Sequence, residues 1–195
     1  MLGVGDIMPE FEVVGVKPKF NMHEESGESA FEAITQDSFE GKWKVFYFYP
    51  KDFTFVCPTE IVEFAKLEDD FNDRDCVALG GSTDNEFCKL AWRREHADLN
   101  KLNQWMFADT NGTLVDGLGI RDYDAGVCLR ATYVVDPHNV IQHVSVNSLN
   151  VGRNPKEILR ILDALQTDEL CPCNRPMGGD VIGGDKDAAN DKVAA

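Results

Sequence analysis

The sequence predicts an α/β fold in which helices flank a central mixed sheet. Three observations lead to this prediction: short apolar runs typical of buried strands, intervening segments with apolar residues at helical spacing, and a turn signal between the last two strands. In chain order these features give a strand, a helix, a strand, a helix, a β-hairpin and a final helix. An α/β sandwich with a mixed sheet accommodates that order.

The predicted strands are nearly unbroken runs of apolar and aromatic residues. "KVFYFY" begins at Lys44, "CVALGGS" at Cys76 and "ATYVVD" at Ala131. Such runs are typical of strands that are buried on both faces of a sheet. "NVIQHVSV", from Asn139, alternates more, and "DPHN" at residues 136–139 favours a turn. The last two strands are therefore expected to form a hairpin.

Three further segments have the periodicity of amphipathic helices: "CPTEIVEFAKLEDDF", "DNEFCKLAWRREHADL" and "NPKEILRILDAL". In the third, Asn154 is a candidate cap and Pro155 suits the first helical position. The apolar residues at helical spacing are Ile61, Phe64, Ala65 and Phe71 in the first segment, Phe87, Leu90, Ala91 and Trp92 in the second, and Ile158, Leu162 and Leu165 in the third.

One domain and a C-terminal arm account for the 195 residues. A chain of this length can bury one substantial core, and we assign residues 1–168 to the domain and 169–195 to the arm. After Leu170 the sequence is rich in Gly, Asp and Ala, so we expect at least its last part to be disordered. The stretch from Met22 to Ser29 is expected to be an exposed loop.

The composition indicates a soluble globular protein, with 43% hydrophobic and 27% charged residues. The formal net charge of −15 argues against a nucleic-acid partner, because a phosphate backbone would be repelled. The N-terminus lacks the pattern of a secretory signal, and no run of 18 apolar residues suggests a membrane span. We therefore expect a cytoplasmic protein, in which cysteines that form disulfides tend to be catalytic or redox-sensing.

Cys57 lies where a buried strand gives way to a helix, in "YPKDFTFVCPTE". With Pro58 next and Glu60 three residues on, Cys-Pro-Thr-Glu resembles a capping box with the thiol in the cap position. The N–H groups and partial positive charge of a helix N-terminus favour a thiolate over a thiol. The alternative interpretation is a structural cysteine in an aromatic cluster, since free cysteine is among the most buried residue types.

The loop before Cys57 has features that suit a reactive thiol. Thr54 is close enough along the chain for its hydroxyl to reach the sulfur or a bound substrate. Phe53, Phe55 and Val56 are expected to supply apolar walls that exclude water. A dry site strengthens the charge interactions inside it, so this loop favours the reactive interpretation of the cysteine.

Residues 50–57 spell P-x-x-x-T-x-x-C, and this motif resembles the signature of the peroxiredoxins. The resemblance runs from about Gly5 to Asn174 and includes "GKWKVFYFYPKDFTFVCPTE", "VDP", "VGRNPKEILRILDALQ" and a late "CP". "CPTE" is similar to the typical two-cysteine branch, and the whole is most similar to the bacterial alkyl hydroperoxide reductase C proteins. The resemblance implies a thioredoxin-like sandwich with a central mixed sheet and a C-terminal arm.

This resemblance also implies a function, that of a thiol-dependent peroxidase. Such an oxidoreductase reduces hydrogen peroxide and organic hydroperoxides to water and alcohols, protects the cell against oxidative stress, and needs no metal, haem or flavin of its own. Cys57 would attack the peroxide and become a sulfenic acid. Thr54 and the backbone N–H groups of Val56 and Cys57 would orient the peroxide, and Pro50 would shield the sulfur.

An arginine is expected to supply the cationic donor of the site. The residues alone favour Arg130 no more than Arg121 or Arg153, and an exposed charge at a strand edge is the alternative interpretation of Arg130. The resemblance implies Arg130, because peroxiredoxins have their active-site arginine just before an apolar strand that leads to "DP". It further implies that Glu60 orients this arginine.

The resemblance also implies a second cysteine, which resolves the sulfenic acid before it oxidises further. Cys171 matches the resolving cysteine of the typical two-cysteine branch and would form a disulfide with Cys57 of the other subunit in a symmetric dimer. Cys173 departs from the commonest pattern and is a candidate for a back-up or for disulfide relay. The C-x-C pair could instead suggest a metal, but zinc sites normally use wider spacing and four ligands.

The partners implied by the resemblance are a peroxide, a dithiol reductant and a second copy of the chain. Thioredoxin, a flavin-containing disulfide reductase and a D-type reductase with a C-x-x-C motif are all candidates for the reductant, and five dimers are expected to form a ring. A general disulfide oxidoreductase and a holdase chaperone or signalling relay are the alternative functions. The first is disfavoured because Cys57 has no second cysteine at C-x-x-C spacing.

Overall fold

The computed structural model describes residues 1–20 and 29–182. The strands in these ranges are β1 (Glu12–Val16), β2 (Phe31–Thr35), β3 (Trp43–Phe48), β4 (Cys76–Ser82), β5 (Trp105–Ala108), β6 (Arg121–Asp122), β7 (Val127–Cys128), β8 (Arg130–Val135) and β9 (Ile141–Asn147). The α-helices are α1 (Cys57–Ala65), α2 (Glu68–Asn72), α3 (Glu86–Glu95), α4 (Thr113–Leu118) and α5 (Pro155–Leu165), and Leu99–Lys101 forms a 3₁₀ turn.

The chain divides into two compact units, Met1–Pro155 and Lys156–Ala195. The first unit contains β1–β9 and α1–α4, and the second contains all of α5 except Pro155 together with the segment that follows it. The division of the sequence after residue 168 stays a prediction. The expected loop from Met22 to Ser29, apart from Ser29 itself, and the expected disorder from residue 183 onward lie outside the described residues.

Seven strands form one mixed sheet in the order β2-β1-β5-β4-β3-β8-β9. β3, β4 and β5 are parallel to one another, whereas the pairings that add β1, β2, β8 and β9 are antiparallel. β3 lies at the centre, and its residues from Val45 to Phe48 are almost fully buried. The unbroken apolar sequence of β3 follows from this position, because both faces of a central strand are covered.

The strands and the hairpin predicted from the sequence are present. β8 and β9 pair as an antiparallel hairpin, and Asn139 in its turn takes a left-handed φ of 63°, which Asn tolerates better than most residues. The Asp136 carboxylate accepts hydrogen bonds from the backbone N–H groups of His138 and Val140, which fixes the turn. The additional short elements that the apolar patterns did not predict are β1, β2, β5, β6, β7 and α4.

The first predicted helix is two helices. α1 ends at Ala65 and α2 begins at Glu68, because Leu67 leaves the helical conformation with φ −102° and ψ 11°. The predicted apolar face nevertheless packs inward: Ile61, Phe64 and Phe71 are all buried. The rings of Phe64 and Phe71 lie 6.4 Å apart, so the break between the helices keeps the two aromatic residues in one cluster.

The predicted apolar face of α3 is partly wrong. Phe87 is 65% exposed, whereas Lys89 and Arg93 on the same helix are fully buried with Trp92. Asn85 caps α3 by accepting a hydrogen bond from the N–H of Cys88. Two cations point into the protein because polar partners there accept hydrogen bonds from them, and apolar periodicity carries no signal for such partners.

Candidate active site

The sheet topology brings three distant parts of the chain to the carboxyl end of β3. β8 runs antiparallel to β3 with Thr132 opposite Tyr47, so Arg130 at the start of β8 lies beside the point where the chain leaves β3. Asn147, the last residue of β9, pairs with Arg130, so the segment that follows β9 also starts near the carboxyl end of β3. The loop of residues 49–56 then leads into α1, which starts at Cys57.

Cys57 is a buried free cysteine whose side chain meets a guanidinium. Its exposed fraction is 1%, and Nη1 of Arg130 lies 3.5 Å from its sulfur. Arg130 is also buried, and its Nε donates a hydrogen bond of 2.7 Å to the carbonyl of Leu149. The predicted pair of Cys57 and Arg130 is therefore brought together, and Arg130 is not an exposed charge at a strand edge.

Glu60 joins two arginines beneath the sulfur. Its Oε2 accepts hydrogen bonds from Nη1 of Arg130 at 2.6 Å and from Nη2 of Arg153 at 2.9 Å. Its Oε1 accepts from Nε of Arg153 at 2.8 Å and from the backbone N–H of the same residue at 3.0 Å. Glu60 thus has bidentate geometry toward Arg153 and orients Arg130 at the same time, as the sequence prediction proposed for Arg130.

Arg153, which the sequence left as an alternative to Arg130, also belongs to this cluster. Beyond Glu60, its Nη1 donates to the carbonyl of Ala131, and its guanidinium lies over the rings of Tyr47 and Phe64 at 5.6 and 5.9 Å. Burial raises the pKa of the Tyr47 hydroxyl, so this ring is neutral beside the cation. The cluster therefore holds two cations and one anion against the candidate nucleophile.

The predicted capping box at the start of α1 is wrong. The residue in the cap position is Val56, one residue before Cys57, and no side chain caps this helix. Glu60 does not reach back to the helix terminus because its carboxylate is occupied by the two arginines. Cys57 still lies in the first turn, where backbone N–H groups lack helical partners and the helix dipole is positive.

The loop of residues 50–56 connects β3 to α1 and ends directly before Cys57. The Thr54 hydroxyl donates a hydrogen bond of 2.9 Å to the carbonyl of Lys51, and Pro50 is half-buried at the end of β3. Phe53 takes a φ of 55°, a conformation that residues other than glycine rarely adopt, and its ring packs against Trp92 at 5.8 Å. The predicted apolar wall is wrong for Phe55, which is 94% exposed in this chain, and only partly right for Phe53, which is 51% exposed.

The two cysteines after α5 are held differently. Cys171 is half-buried, and its sulfur lies 3.7 Å from the carbonyl of Ala164 and 3.5 Å from the hydroxyl of Thr167. Cys173 is exposed. Nearby, the buried side chain of Arg175 donates to Oδ2 of Asp163 at 2.8 Å, which ties the segment to α5.

The other cysteines are protonated at neutral pH. Burial raises the pKa of the Cys128 thiol to about 12, and its sulfur donates to the carbonyl of Tyr49 at 3.0 Å. Burial, with the nearby carboxylates of Asp52 and Asp84, raises the pKa of Cys88 to about 11, and burial likewise raises the pKa of Cys76. A protonated thiol is a poor nucleophile, so these residues fit a packing role.

Among the described residues, no group of three or more His, Cys, Asp or Glu side chains is arranged to hold a metal ion. Within the same ranges, no helix combines the length and the apolar character needed to cross a membrane.

Comparison with known proteins places this chain in a family. A profile of the AhpC/TSA family matches residues 4–144. Alkyl hydroperoxide reductase C of Mycolicibacterium smegmatis is 46% identical over 184 residues, which is 93% of this chain and 94% of the relative.

Two solved structures are also similar to this chain. Mycobacterium tuberculosis AhpC has a TM-score of 0.80 and 45% identity, with 88% of this chain and 97% of that chain covered. The reduced 2-Cys peroxiredoxin of Plasmodium vivax has a TM-score of 0.85 and 30% identity, with both chains fully covered. The thioredoxin-like fold predicted from the sequence is confirmed, and the chain belongs to the AhpC/TSA family.

Proposed function

We propose that the chain is a thiol-dependent peroxidase that reduces hydrogen peroxide and organic hydroperoxides to water and alcohols, with Cys57 as the attacking thiol. The name alkyl hydroperoxide reductase, which its relatives bear, supports this enzyme class. The assignment of Cys57 rests on one observation: its buried sulfur lies 3.5 Å from the guanidinium of Arg130 at the first turn of a helix. A cation and helical N–H groups together stabilise a thiolate.

The reaction begins when the Cys57 thiolate attacks one peroxide oxygen in line with the O–O bond. An S–O bond forms and the O–O bond breaks, and the second oxygen leaves as an alkoxide or hydroxide that takes up a proton. The sulfur loses two electrons and becomes a sulfenic acid, while the peroxide gains them and becomes an alcohol or water. The site must therefore stabilise negative charge on sulfur before the attack and on oxygen after it.

Arg130 supplies the cation in both stages. Its Nη1 reaches the sulfur, and a planar guanidinium has further N–H donors that can follow the charge to the leaving oxygen. Glu60 fixes the plane of this group, and Arg153 holds Glu60 through three hydrogen bonds. Glu60 and Arg153 are thus positioning residues, and their ion pairs keep Arg130 in place without reorganisation during the attack.

Thr54 and Pro50 act on the peroxide side of the sulfur in this proposal. The Thr54 hydroxyl donates its proton to the Lys51 carbonyl, so its oxygen keeps lone pairs that can accept a hydrogen bond from a peroxide. The backbone N–H groups of Val56 and Cys57 donate to the peroxide, and Pro50 limits access of water.

Resolution follows as a second displacement. The thiol of Cys171 from a second copy of the chain attacks the sulfenic sulfur, an S–S bond forms and water leaves. Cys171 is suited to this step because its sulfur is held by two weak hydrogen-bond contacts, with a hydroxyl at 3.5 Å and a carbonyl at 3.7 Å. Cys173, exposed two residues later, either replaces Cys171 or accepts the disulfide from it. An external dithiol, from thioredoxin, a flavin-containing disulfide reductase or a D-type C-x-x-C reductase, then restores both thiols.

The proposed assembly is an antiparallel homodimer, with five dimers in a ring, acting in the cytoplasm, where the thiols stay reduced. Exposed aromatic residues support association beyond a single chain. Phe55 is 94% exposed, Phe87 is 65% exposed and Phe53 is 51% exposed. Exposed apolar patches mark surfaces that associate with another protein, and these three side chains are the candidates for such a surface.

Stopped-flow kinetics with hydrogen peroxide tests the assignment of Cys57. The wild type is expected to consume one equivalent of peroxide rapidly, and Cys57→Ser should react no faster than free thiols in solution. Cys128→Ser is the matched control, since it removes another buried thiol, and it should keep the fast phase. A fast phase that survives in Cys57→Ser would overturn the assignment.

Non-reducing electrophoresis after one equivalent of peroxide tests the resolving step. The wild type is expected to form a disulfide-linked dimer, and Cys171→Ser is expected to lose it. Dimers that persist in Cys171→Ser and disappear in Cys173→Ser would move the resolving role to Cys173.

A further inference from the structure

A lysine is fully enclosed next to the proposed site, although it touches neither Cys57 nor Arg130. The side chain of Lys89, on α3, has no exposed area, and the side chain of Asp52 is only 1% exposed. Its Nζ lies 3.1 Å from Oδ1 of Asp52, 2.6 Å from the hydroxyl of Ser82 and 3.2 Å from the hydroxyl of Tyr49. All three ammonium protons thus have acceptors, as a buried lysine requires.

Asp52 connects this lysine to the loop of residues 50–56. Its side chain binds Lys89, and its backbone N–H donates a hydrogen bond of 2.7 Å to Oδ2 of Asp84. The Ser82 hydroxyl, at the end of β4, donates to the same Asp84 oxygen at 3.1 Å. One residue of the loop is therefore fixed through both its side chain and its backbone, two positions before Thr54.

The backbone next to this anchor is strained. Phe53 has a φ of 55°, and a residue with a large side chain keeps such a conformation only where its surroundings enforce it. Phe53 is itself half exposed, and its ring makes a tilted contact with Trp92, so its own side chain supplies only part of that enforcement. Asp52, directly before it, is fixed by its hydrogen bonds to Lys89 and Asp84.

The buried carboxylate depends on the lysine. Desolvation raises the pKa of Asp52, and the ammonium of Lys89 opposes this rise by Coulomb attraction and by hydrogen bonding. Without the lysine, an enclosed carboxylate would either take up a proton or move toward water. Either change loosens the anchor, because Asp52 and Thr54 belong to the same short loop.

We propose that Lys89 is a positioning residue for the peroxide reaction: through Asp52 it holds the loop that presents Thr54 to the peroxide beside Cys57. This inference rests on the proposed function. The loop end carrying Thr54 depends on Lys89, whereas Arg130, Glu60 and Arg153 are held by β8 and by the chain after β9. Loss of Lys89 should therefore disturb the orientation of the bound peroxide. It should leave the Cys57 thiolate and the Arg130 guanidinium in place.

This division predicts different responses of two reactions of the same sulfur. Peroxide reduction needs the substrate oriented by the loop, and displacement of an orienting group by about 1 Å can cost ~100-fold in rate. Alkylation of Cys57 by iodoacetamide needs the thiolate and its accessibility but not an oriented O–O bond. In Lys89→Met, the second-order rate constant with hydrogen peroxide should fall about 10- to 100-fold, and that with iodoacetamide by less than about threefold.

The experiment compares Lys89→Met with Asp52→Asn, the double variant and Lys66→Met. Lys66 is the matched control because it forms an exposed pair with Glu63 on α1. Met keeps the unbranched shape of the lysine, and Asn keeps the shape of the aspartate. The double variant leaves no unpaired buried charge, so it should recover thermal stability without recovering the peroxide rate. If Lys89→Met fails to fold, as judged by circular dichroism, Asp52→Asn answers the same question.

Two results would overturn the proposal. One is a peroxide rate in Lys89→Met equal to that of Lys66→Met. The other is a parallel fall of peroxide and iodoacetamide rates, which would mean a general disruption of the site. Failure of the proposed function itself would look different: wild type and Cys57→Ser would then react with peroxide at the same slow rate.

Discussion

The two cysteines proposed to exchange electrons lie in contrasting surroundings. Cys57 has an exposed fraction of 1%, starts a helix and faces a guanidinium that is itself held by a buried carboxylate. Cys171 is half-buried in a segment without helix or strand, and its sulfur has long contacts with a carbonyl and a hydroxyl. A buried guanidinium contacts the sulfur of the first cysteine, whereas the hydrogen-bond partners of the second are neutral groups.

The contrast matches what each sulfur has to do in the proposed cycle. Attack on a peroxide gains from groups that are fixed before the substrate arrives, because they need no reorganisation in the transition state. Formation of a disulfide requires two sulfurs to approach to about 2.05 Å, so at least one of them must leave its resting place. A segment held by a few polar contacts opens more readily than a packed core. The following predictions test this division, beginning with the largest expected effect.

The substitution Glu60→Gln should lower the unfolding free energy and the peroxide rate constant the most, because it removes the anion between Arg130 and Arg153. Loss of one partner from a buried ion pair typically costs about 3–5 kcal/mol of unfolding free energy, since the remaining charge is left uncompensated. The measurement is urea unfolding together with the peroxide rate constant. Glu63→Gln on the same helix is the control, as its pair with Lys66 is exposed and should contribute little. Equal stabilities of the two variants would contradict the fixed character of the Cys57 site.

Arg130→Lys should affect the reaction more than the fold. Lysine keeps the positive charge, but it lacks the planar fork with which Arg130 reaches Cys57, Glu60 and the Leu149 carbonyl together. The peroxide rate constant in stopped-flow experiments is expected to fall about tenfold or more, which corresponds to about 1.4 kcal/mol of activation free energy. Arg121→Lys, in a pair with Asp116, is the control. Kinetics like those of the wild type would remove Arg130 from the site.

Sequence patterns predicted the central strands of the sheet but not β1, β2 and β5. β3, β4 and the β8–β9 hairpin follow from apolar runs and one turn signal, and the P-x-x-x-T-x-x-C motif identified the loop and Cys57. The pairing of Cys57 with Arg130 came from the resemblance, because the residues alone favoured Arg121 and Arg153 equally. Only the sheet register shows that Arg130 lies beside the end of β3.

The burial of charged side chains could not be predicted from the sequence, and the reason is physical. Hydrophobic periodicity assigns charged residues to water, yet Lys89 on α3 is fully buried. Its compensating partners, Asp52 and Ser82, lie 37 and 7 positions away in the chain. A burial of this kind is decided by tertiary contacts, which a single sequence read for local patterns does not contain. Glu60 and Arg153 were both candidates from the sequence, but their pairing with each other across 93 positions was not predicted.

Asp163→Asn should have the smallest effect, and it acts on the Cys171 side of the comparison. The Asp163 carboxylate accepts hydrogen bonds from the buried guanidinium of Arg175 and from the N–H of Gly178. Both donors follow Cys171 in the chain, so Asp163 binds the segment that contains Cys171 to α5. Asparagine keeps an acceptor oxygen but loses the charge, which weakens both bonds. The segment should then open more often, and disulfide formation should be about two- to fivefold faster.

Mass spectrometry after matched pulses of peroxide measures this change as the ratio of the Cys57 disulfide to the Cys57 sulfinate. Faster resolution leaves less sulfenic acid to oxidise further, so the ratio should rise in Asp163→Asn. Glu63→Gln is the matched control, an acid-to-amide change on α1 in an exposed pair with Lys66, and it should leave the ratio unchanged. A ratio that falls in Asp163→Asn would mean that the resting contacts of the segment assist resolution. The Cys171 segment would then resemble the preorganised Cys57 site, and the contrast between the two sulfurs would not hold.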